Sequence, residues 1–357
     1  MAGVPVLVMR GGTSKGAYFL ASDLPKNPEI RDELLLRIMG SPDPRQIDGI
    51  GGGHPLTSKV AVVSVSDSPD ADVDYLFLQV HVDRPLVSAE QPCGNILAGV
   101  GPFAVERGLV ASVGGGITRV RVRMVNTGAL ATVEVPVSDG RPVYSGDTAI
   151  SGVPGPAARL LVEFRDLAGS VTGALLPTGN RVDELDGIRA TLIDNGMPVV
   201  LIEASSLGVT GYESPTRLEY DESLRDRVEK LRLLAGELMG LGDVRDQTVP
   251  KMCLVAPPID GGSLCTRMFV PHRVHSGIGV LAGASVGAAA ALPGSVAAGV
   301  VTPEFRGHGA AAGPAPHHTF RLEHPAGWFD VRAEMDTGRT SIVSTARLLL
   351  DGIVHPR

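Results

Sequence analysis

The run Gly94-Asn95-Ile96-Leu97-Ala98-Gly99-Val100-Gly101-Pro102-Phe103-Ala104-Val105 carries no charge, and it constrains the fold of this chain more than any other segment. Its spacing predicts a helix over about 94–107, with Ile96, Leu97, Val100, Phe103, Ala104 and Val105 covering most of the circumference. A helix that is apolar all round must be buried on all sides, so other elements have to surround it. Gly99 and Gly101 let neighbouring backbone come close, and Gly108 supplies the usual stop. Gln91-Pro92-Cys93 then gives this apolar helix a polar mouth. The first turn of a helix has unpaired N–H groups and a partial positive charge, a field that activates thiols and attracts carboxylates. Cys93 is therefore a candidate reactive sulfur at an anion-welcoming helix end. The plainer alternative is a cysteine acting as a small buried hydrophobe.

The totals bound what can surround that helix. The chain has 357 residues, 43% apolar and 20% charged, which predicts about two domains with ample core. Its net charge of −7 argues against nucleic acid, because a polyanion requires a basic face. A small anionic substrate stays open, since helix ends with a few Arg or Lys reverse the field locally. Cys93, Cys253 and Cys265 make no disulfide framework, and no CxxC or paired Cys/His spacing suggests a metal. The N-terminal apolar run is too short, and lacks the basic start, for a signal peptide, so a cytoplasmic protein is expected. Gly277 to Thr302 is free of charge, yet it is mostly Ala and Gly and is broken by Pro293. A buried helix over about 278–291 followed by a buried strand is expected there, and no membrane span.

Along the chain, 4–9 reads as an opening strand, and Ser22-Asp23-Leu24-Pro25 reads as the cap of a helix ending near Met39. Strands are expected over 60–65, 73–82, 118–125 and 131–137. The second half repeats the plan. Strands at 188–192 and 198–203 flank Asp194-Asn195-Gly196-Met197, an exposed charged helix spans 222–238, and strands near 252–256 and 267–270 precede the Gly/Ala helix. Leu-Ala-Gly recurs at 97–99 and 281–283. This predicts two similar lobes, 1–185 and 186–357, with helix mouths facing one cleft and the last strand free to return to the first lobe.

Four motifs together resemble the PrpF-like isomerases: Arg10-Gly11-Gly12-Thr13-Ser14-Lys15-Gly16, Asp48-Gly49-Ile50-Gly51-Gly52, Leu56-Thr57-Ser58-Lys59-Val60, and Cys93-Gly94-Asn95-Ile96-Leu97-Ala98-Gly99-Val100-Gly101. The resemblance runs nearly end to end and is poorest from about Thr302 to His318. It implies an α+β fold of the diaminopimelate-epimerase type: two pseudo-symmetric lobes, each a mostly antiparallel sheet wrapped around a central buried helix. Leu175-Leu176-Pro177-Thr178-Gly179-Asn180, Asp194 to Val200, and Asp351-Gly352 fit the members that tautomerise 4-oxalomesaconate in gallate-type aromatic catabolism. The implied activity is that of a cofactor-independent isomerase of an unsaturated tricarboxylate, with no metal and with a homodimer as the assembly to test. The family's catalytic Lys and Cys fall on Lys59 and Cys93. An allylic double-bond isomerase of aconitate, methylaconitate or 4-oxalomesaconate would use the same pair.

Keto–enol exchange needs a base for carbon, an acid for oxygen, and anchors for carboxylates. Lys59 and Cys93 can fill the first two roles in either order. Thr13, Ser14, Ser58, Gly94 and Asn95 supply hydroxyls or N–H groups beside the catalytic motifs. Arg267 and the cluster His272-Arg273-His275-Ser276-Gly277 would add positive charge ahead of the second helix, although such residues also serve as caps. The second helix has no cysteine near its mouth, which argues against racemisation by two opposed thiols. Gly283-Ala284-Ser285-Val286-Gly287 fits a hydrolase elbow, but the short remainder of the chain must then supply an acid and a histidine, such as Asp330 and His355. A non-catalytic tricarboxylate-binding protein is the alternative from a different class. Neither Gly-rich loop has the order of a nucleotide site.

Overall fold

Alternating burial lays down the strands. A computed structural model describes residues 3–89, 93–112, 114–270, 273–302, 317–334 and 339–357, which fall into two compact units. Unit 1 comprises Met1–Arg165 with Val343–Arg357, and unit 2 comprises Asp166–Ile342. Unit 1 contains strands β1 (Val4–Gly11), β2 (Ser14–Leu20), β3 (Lys59–Val65), β4 (Val73–Val80), β5 (Val87–Ser88), β6 (Gly115–Met124), β7 (Leu130–Ser138), β8 (Arg141–Pro142) and β9 (Arg159–Phe164), with helices α1 (Pro28–Met39) and α2 (Gly94–Glu106). Unit 2 contains β10 (Asp183–Leu185), β11 (Ile188–Asp194), β12 (Pro198–Glu203), β13 (Lys251–Ala256), β14 (Leu264–Phe269), β15 (His317–His324) and β16 (Gly327–Glu334). Its helices are α3 (Pro215–Tyr220), α4 (Glu222–Leu238), α5 (Val280–Ala291) and α6 (Val296–Val300). The last strand, β17 (Thr340–Val354), begins in unit 2 and ends in unit 1.

The fold is mixed α/β with a closed β-barrel in unit 1. There β1 pairs with β2, β2 with β3, β3 with β4, β4 with β6, β6 with β7, β7 with β9, β9 with β17, and β17 with β1. Two of these ladders, β2–β3 and β4–β6, are parallel. Helix α2 packs against β1 to β4 and β6 to β9, and residues Ile96 to Val105 of it are buried. Burying Ile96, Leu97, Val100 and Phe103 stabilises the unit by about 1.5–3 kcal/mol each. On the outer side of the strands, Leu35, Ile38 and Met39 of α1 share a core with Ala17, Phe19, Val60, Val62, Leu78 and Val80. Strand alternation then directs the opposite set toward α2: Gly16 and Tyr18, Lys59 and Ala61, and Tyr75, Phe77 and Gln79.

In unit 2 the pairing order is β10-β11-β12-β13-β14-β15-β16, continued by Thr340–Ile342 of β17. Helix α5 packs against β11, β12, β15 and β16, while α4 packs with β13 and β14 in a separate apolar cluster. A lobe boundary at 185 is corrected here. Leu185 and Ile188 are partners across the β10–β11 turn, so a cut there would sever paired strands, and the division falls after Arg165.

Three local expectations also change. The α1 cap is Asn27, whose Oδ1 accepts from the N–H groups of Glu29 (2.9 Å) and Ile30 (3.2 Å) with Pro28 at the first helical position, and Ala21–Asp23 is only a single 3-10 turn. The strand expected after the Gly/Ala helix is the short helix α6, because Ser295 Oγ accepts from Ala298 N at 3.0 Å and restarts helical backbone. Helix α5 itself starts at Val280. Among the described residues no helix is long and apolar enough to cross a membrane.

Candidate active site

The β1–β2 hairpin turn meets the first turn of α2. Gly12 has φ +52°, and a Cβ there would lie 2.5 Å from Asn95 Oδ1; at Gly11 it would lie 2.6 Å from the Asn95 carbonyl. Only glycine lets these backbones touch. Gly12 N–H donates to Thr345 O (2.9 Å), and Arg10 donates to the Gly12 and Thr345 carbonyls (2.8 and 3.0 Å), which fixes the turn. Asn95 Nδ2 donates to Thr13 Oγ1 at 3.1 Å. Ser14, 2% exposed, follows with its Oγ buried and without a hydrogen-bond partner. Two residues from Gly16, it shares the strand face that looks at α2. A buried hydroxyl left unpaired costs about 1–3 kcal/mol, a cost that a ligand atom can remove.

Cys93 is the N-cap of α2, a half-buried free thiol whose side chain makes no capping hydrogen bond. The N–H groups of Gly94 and Asn95 open the first turn. The Cys93 carbonyl accepts from Leu97 N–H (3.1 Å) and from the Tyr75 hydroxyl (3.2 Å), and Tyr18 donates to the Ile96 carbonyl at 2.7 Å. Burial, reinforced by the Cys93 sulfur, pushes both phenols well above the usual tyrosine range, so they remain donors that hold the helix mouth.

Lys59 opens β3 directly opposite Gln79 of β4. It is 9% exposed; its Nζ donates to Gln79 Oε1 at 2.8 Å and stands 5.0 Å from the centre of the Phe77 ring. Tyr75, Phe77 and Gln79 are alternate residues of one strand face, so the face that touches the Cys93 carbonyl at one point carries the Lys59 amine four residues on.

Ser58 stands behind Lys59. Its hydroxyl donates to Val80 O (2.8 Å) and accepts from Gln46 Nε2 (2.7 Å), so the expected substrate contact is replaced by a supporting one. Gln46 also holds the glycine loop, accepting from Gly53 N–H at 2.9 Å, and a Cβ on Gly51 would lie 2.1 Å from Gln46 Oε1. That packing explains Gly51, while Gly49 is held against the backbone of Gly40 and Gly52 against Thr57. Lys15 Nζ lies beside Gly52 on the outer side.

The residues expected from unit 2 are placed differently. Arg267 sits with Cys265 and Phe269 on the face packed by α4, and it donates to the Glu213 (2.7 Å) and Thr266 (2.8 Å) carbonyls and to Cys265 Sγ (3.2 Å). Its Nε and Nη1 groups are thus engaged by chain carbonyls and the Cys265 sulfur. His275 and Ser276 are exposed in the segment before α5, where His275 Nδ1 accepts from Gly277 N–H at 2.8 Å and Ser276 O accepts from Ala326 N–H at 2.8 Å. His272 lies outside the described residues. Cys253 and Cys265 are buried, and burial pushes both thiols up. Ser285 is sealed: its Oγ donates to Met197 O (2.7 Å) and accepts from Asn195 N–H (3.0 Å), which removes the hydrolase reading. Among the described residues no group of His, Cys, Asp or Glu is assembled for a metal ion.

Sequence reasoning missed Gln79, Gln46, Tyr18 and Tyr75. Gln79 was detectable only as a polar residue on the Tyr75-Phe77-Gln79 alternation, and its meaning depends on the β3–β4 register.

The PrpF protein family model matches residues 1–356. A (4E)-oxalomesaconate Delta-isomerase of Novosphingobium sp. (strain KA1) is 54% identical over 99% of this chain and 98% of its own length. A 4-oxalomesaconate tautomerase of Pseudomonas putida is 53% identical over 98% of this chain and 95% of its own length. Among solved structures, a methylitaconate-delta-isomerase superposes with a TM-score of 0.86 at 35% identity, covering 99% of this chain and 95% of that one.

Proposed function

We propose, from the premise that this chain belongs to the PrpF family, that it is a cofactor-independent isomerase catalysing the keto–enol tautomerisation of 4-oxalomesaconate. The observation that carries this reading is the shared β4 face, which joins the Lys59 amine to the Cys93 helix mouth beside the unpartnered Ser14 hydroxyl. In the forward direction the Lys59 amine removes a proton from the carbon next to the ketone. The electron pair moves into a new C=C bond, and the ketone oxygen takes the Cys93 proton. Proton exchange between the two groups then resets them. Each well-placed group is worth about 10²–10⁴-fold. Carboxylates of the substrate are held by the N–H groups of Gly94 and Asn95 in the first turn of α2 and by Ser14 and Thr13. The internal likeness of α2 and α5, each apolar, each packed on strands and each carrying Leu-Ala-Gly, supports two pseudo-symmetric lobes of the diaminopimelate-epimerase type. A cytoplasmic location fits this chemistry.

A second reading, an allylic shift of the double bond, is favoured by the 54% identical Delta-isomerase. Incubation with 4-oxalomesaconate, and separately with trans-aconitate, in deuterated water separates the two. Deuterium on the carbon next to the ketone is expected, whereas deuterium at the far end of the double bond would select the allylic shift. Turnover of neither compound would discard the substrate assignment. Binding of these compounds without turnover, unchanged in Lys59→Ala and Cys93→Ser, would instead leave a tricarboxylate-binding protein.

A further inference from the structure

We propose that Gln79 is the positioning residue that aims the Lys59 amine while leaving it without a counter-charge; this rests on the role given to Lys59 above. The Gln79 side chain has one orientation available. Its Nε2 faces three carbonyl oxygens, those of Ser58 (2.8 Å), Pro55 (3.1 Å) and Val80 (3.4 Å), which can only accept. The amide oxygen is thereby turned to Lys59 Nζ at 2.8 Å. The Phe77 ring, 5.0 Å from the same nitrogen, bounds the amine on a second side. An acceptor and a ring face together restrict a flexible four-carbon chain to one place.

The chemistry asks for an amide here. A group that must take up and release a proton in each cycle is poorly served by a carboxylate at hydrogen-bond distance, which holds the ammonium form. A carboxylate at position 79 would also set an oxygen against those three carbonyls. Among the described residues Lys59 takes part in no ion pair. The titratable groups on the elements packed against β3 are Tyr18 of β2, Tyr75 of β4 and Cys93 at the mouth of α2 on the inner side, with Lys15 of β2 and Asp74 of β4 on the outer side; Glu106 lies at the other end of α2, where it accepts from Tyr144, and Asp23 lies in the 3-10 turn beside the Val63 end of β3. No carboxylate therefore faces it from within, and Gln79 supplies direction with no charge.

Two variants of the full chain test this. Gln79→Met keeps the length and removes the hydrogen bonds; kcat is expected to fall about 10²-fold, with KM within about threefold of the parent. Gln79→Glu keeps an acceptor and adds charge, so the pH at which the rate becomes half-maximal is expected to rise by about one unit, with activity recovering in alkaline buffer. A readout that needs no substrate accompanies them. The pH dependence of Lys59 labelling by trinitrobenzenesulfonate, followed by peptide mass spectrometry, is expected to move upward by a similar amount in Gln79→Glu. Folded variants with the parent's kcat, pH profile and labelling overturn the proposal, as does a rise in KM alone. Lys59→Ala is the control. If it stays active, the catalytic reading of Lys59 has failed; if it is inactive while both Gln79 variants behave as the parent, only the present proposal has.

Discussion

The mouths of α2 and α5 are built from the same parts and furnished differently. Both helices are apolar, both begin without a side-chain cap, and both use glycine to meet a neighbouring ring, Gly99 against Tyr18 and Gly283 against Phe329. At α2 the N-cap is a thiol, the adjoining strands bring an amine and a buried hydroxyl without a partner, and two phenols pin the first turn. At α5 the N-cap is Gly279, the flanking polar groups are the imidazoles of His275 and His324, and Ser285 within the helix is locked into two hydrogen bonds. On the proposed reading, proton transfer belongs to the α2 mouth alone. The largest expected effect tests that. Lys59→Ala and Cys93→Ser should each lower kcat/KM by about 10³-fold or more, whereas His275→Ala should leave kcat within about twofold. A kcat loss in His275→Ala as deep as that in Cys93→Ser would erase the distinction.

Stability effects come next in size. In Gly99→Ala the new methyl would lie 2.3 Å from the Tyr18 hydroxyl oxygen, and the ring is fully buried and hydrogen-bonded, so it cannot turn away. A loss of about 1–3 kcal/mol in urea unfolding is expected. In Gly283→Ala the contact is 2.6 Å from a ring that is only half-buried, and a smaller loss should follow. Equal losses would mean that the two helix seats are equally rigid.

The two serines carry opposite signs. Ser285→Ala removes a donor and an acceptor that are both in use and should cost about 1–2 kcal/mol with unchanged turnover. Ser14→Ala removes a hydroxyl with no partner and should stabilise the free protein by up to about 1 kcal/mol while KM rises. A stabilised Ser14→Ala protein with an unchanged KM would take Ser14 out of the anchoring set.

The α2 mouth was the legible part of this molecule, because an uncharged helix with a cysteine at its start has few other uses and because strands 60–65 and 73–82 alternate clearly. Strands β2, β15 and β16 were not read, and β17 was read only as a last strand free to return to the first lobe. Ser14-Lys15-Gly16 looks like loop composition, and β17 earns its strand character only by pairing with β1, β9 and β16. The surroundings of Arg267 were hidden for a related reason. Its sequence position beside the second helix says nothing about which face of β14 it occupies, and parity with Cys265 and Phe269 puts it on the α4 side. Gln79 was invisible until the register set it against Lys59.

The smallest expected effect separates the two mouths by pH. His324, half-buried near α5, titrates below its ordinary 6.5, chiefly because burial disfavours the imidazolium; His275 and Arg267 nearby add repulsion, and hydrogen bonds with the Trp328 and Ser276 backbone oppose the shift. Below pH 6.5 the unfolded chain takes up this proton before the folded one, so stability falls as pH drops from 6.5 through the lower folded value. Tyr18 and Tyr75 at the α2 mouth act at the other extreme. Their folded values lie above 10, so their contribution is full below pH 10 and is lost as pH rises beyond it, when the unfolded chain gives up the proton first. Thermal unfolding followed from pH 5 to 7.5 and again above pH 10 should therefore show a shallower acid decline in His324→Asn than in the parent, while Tyr75→Phe keeps the parent's acid slope and flattens the decline above pH 10. An unchanged acid slope in His324→Asn would show that the imidazole is hydrated in the folded protein and that the α5 mouth is open to water in a way the α2 mouth is not.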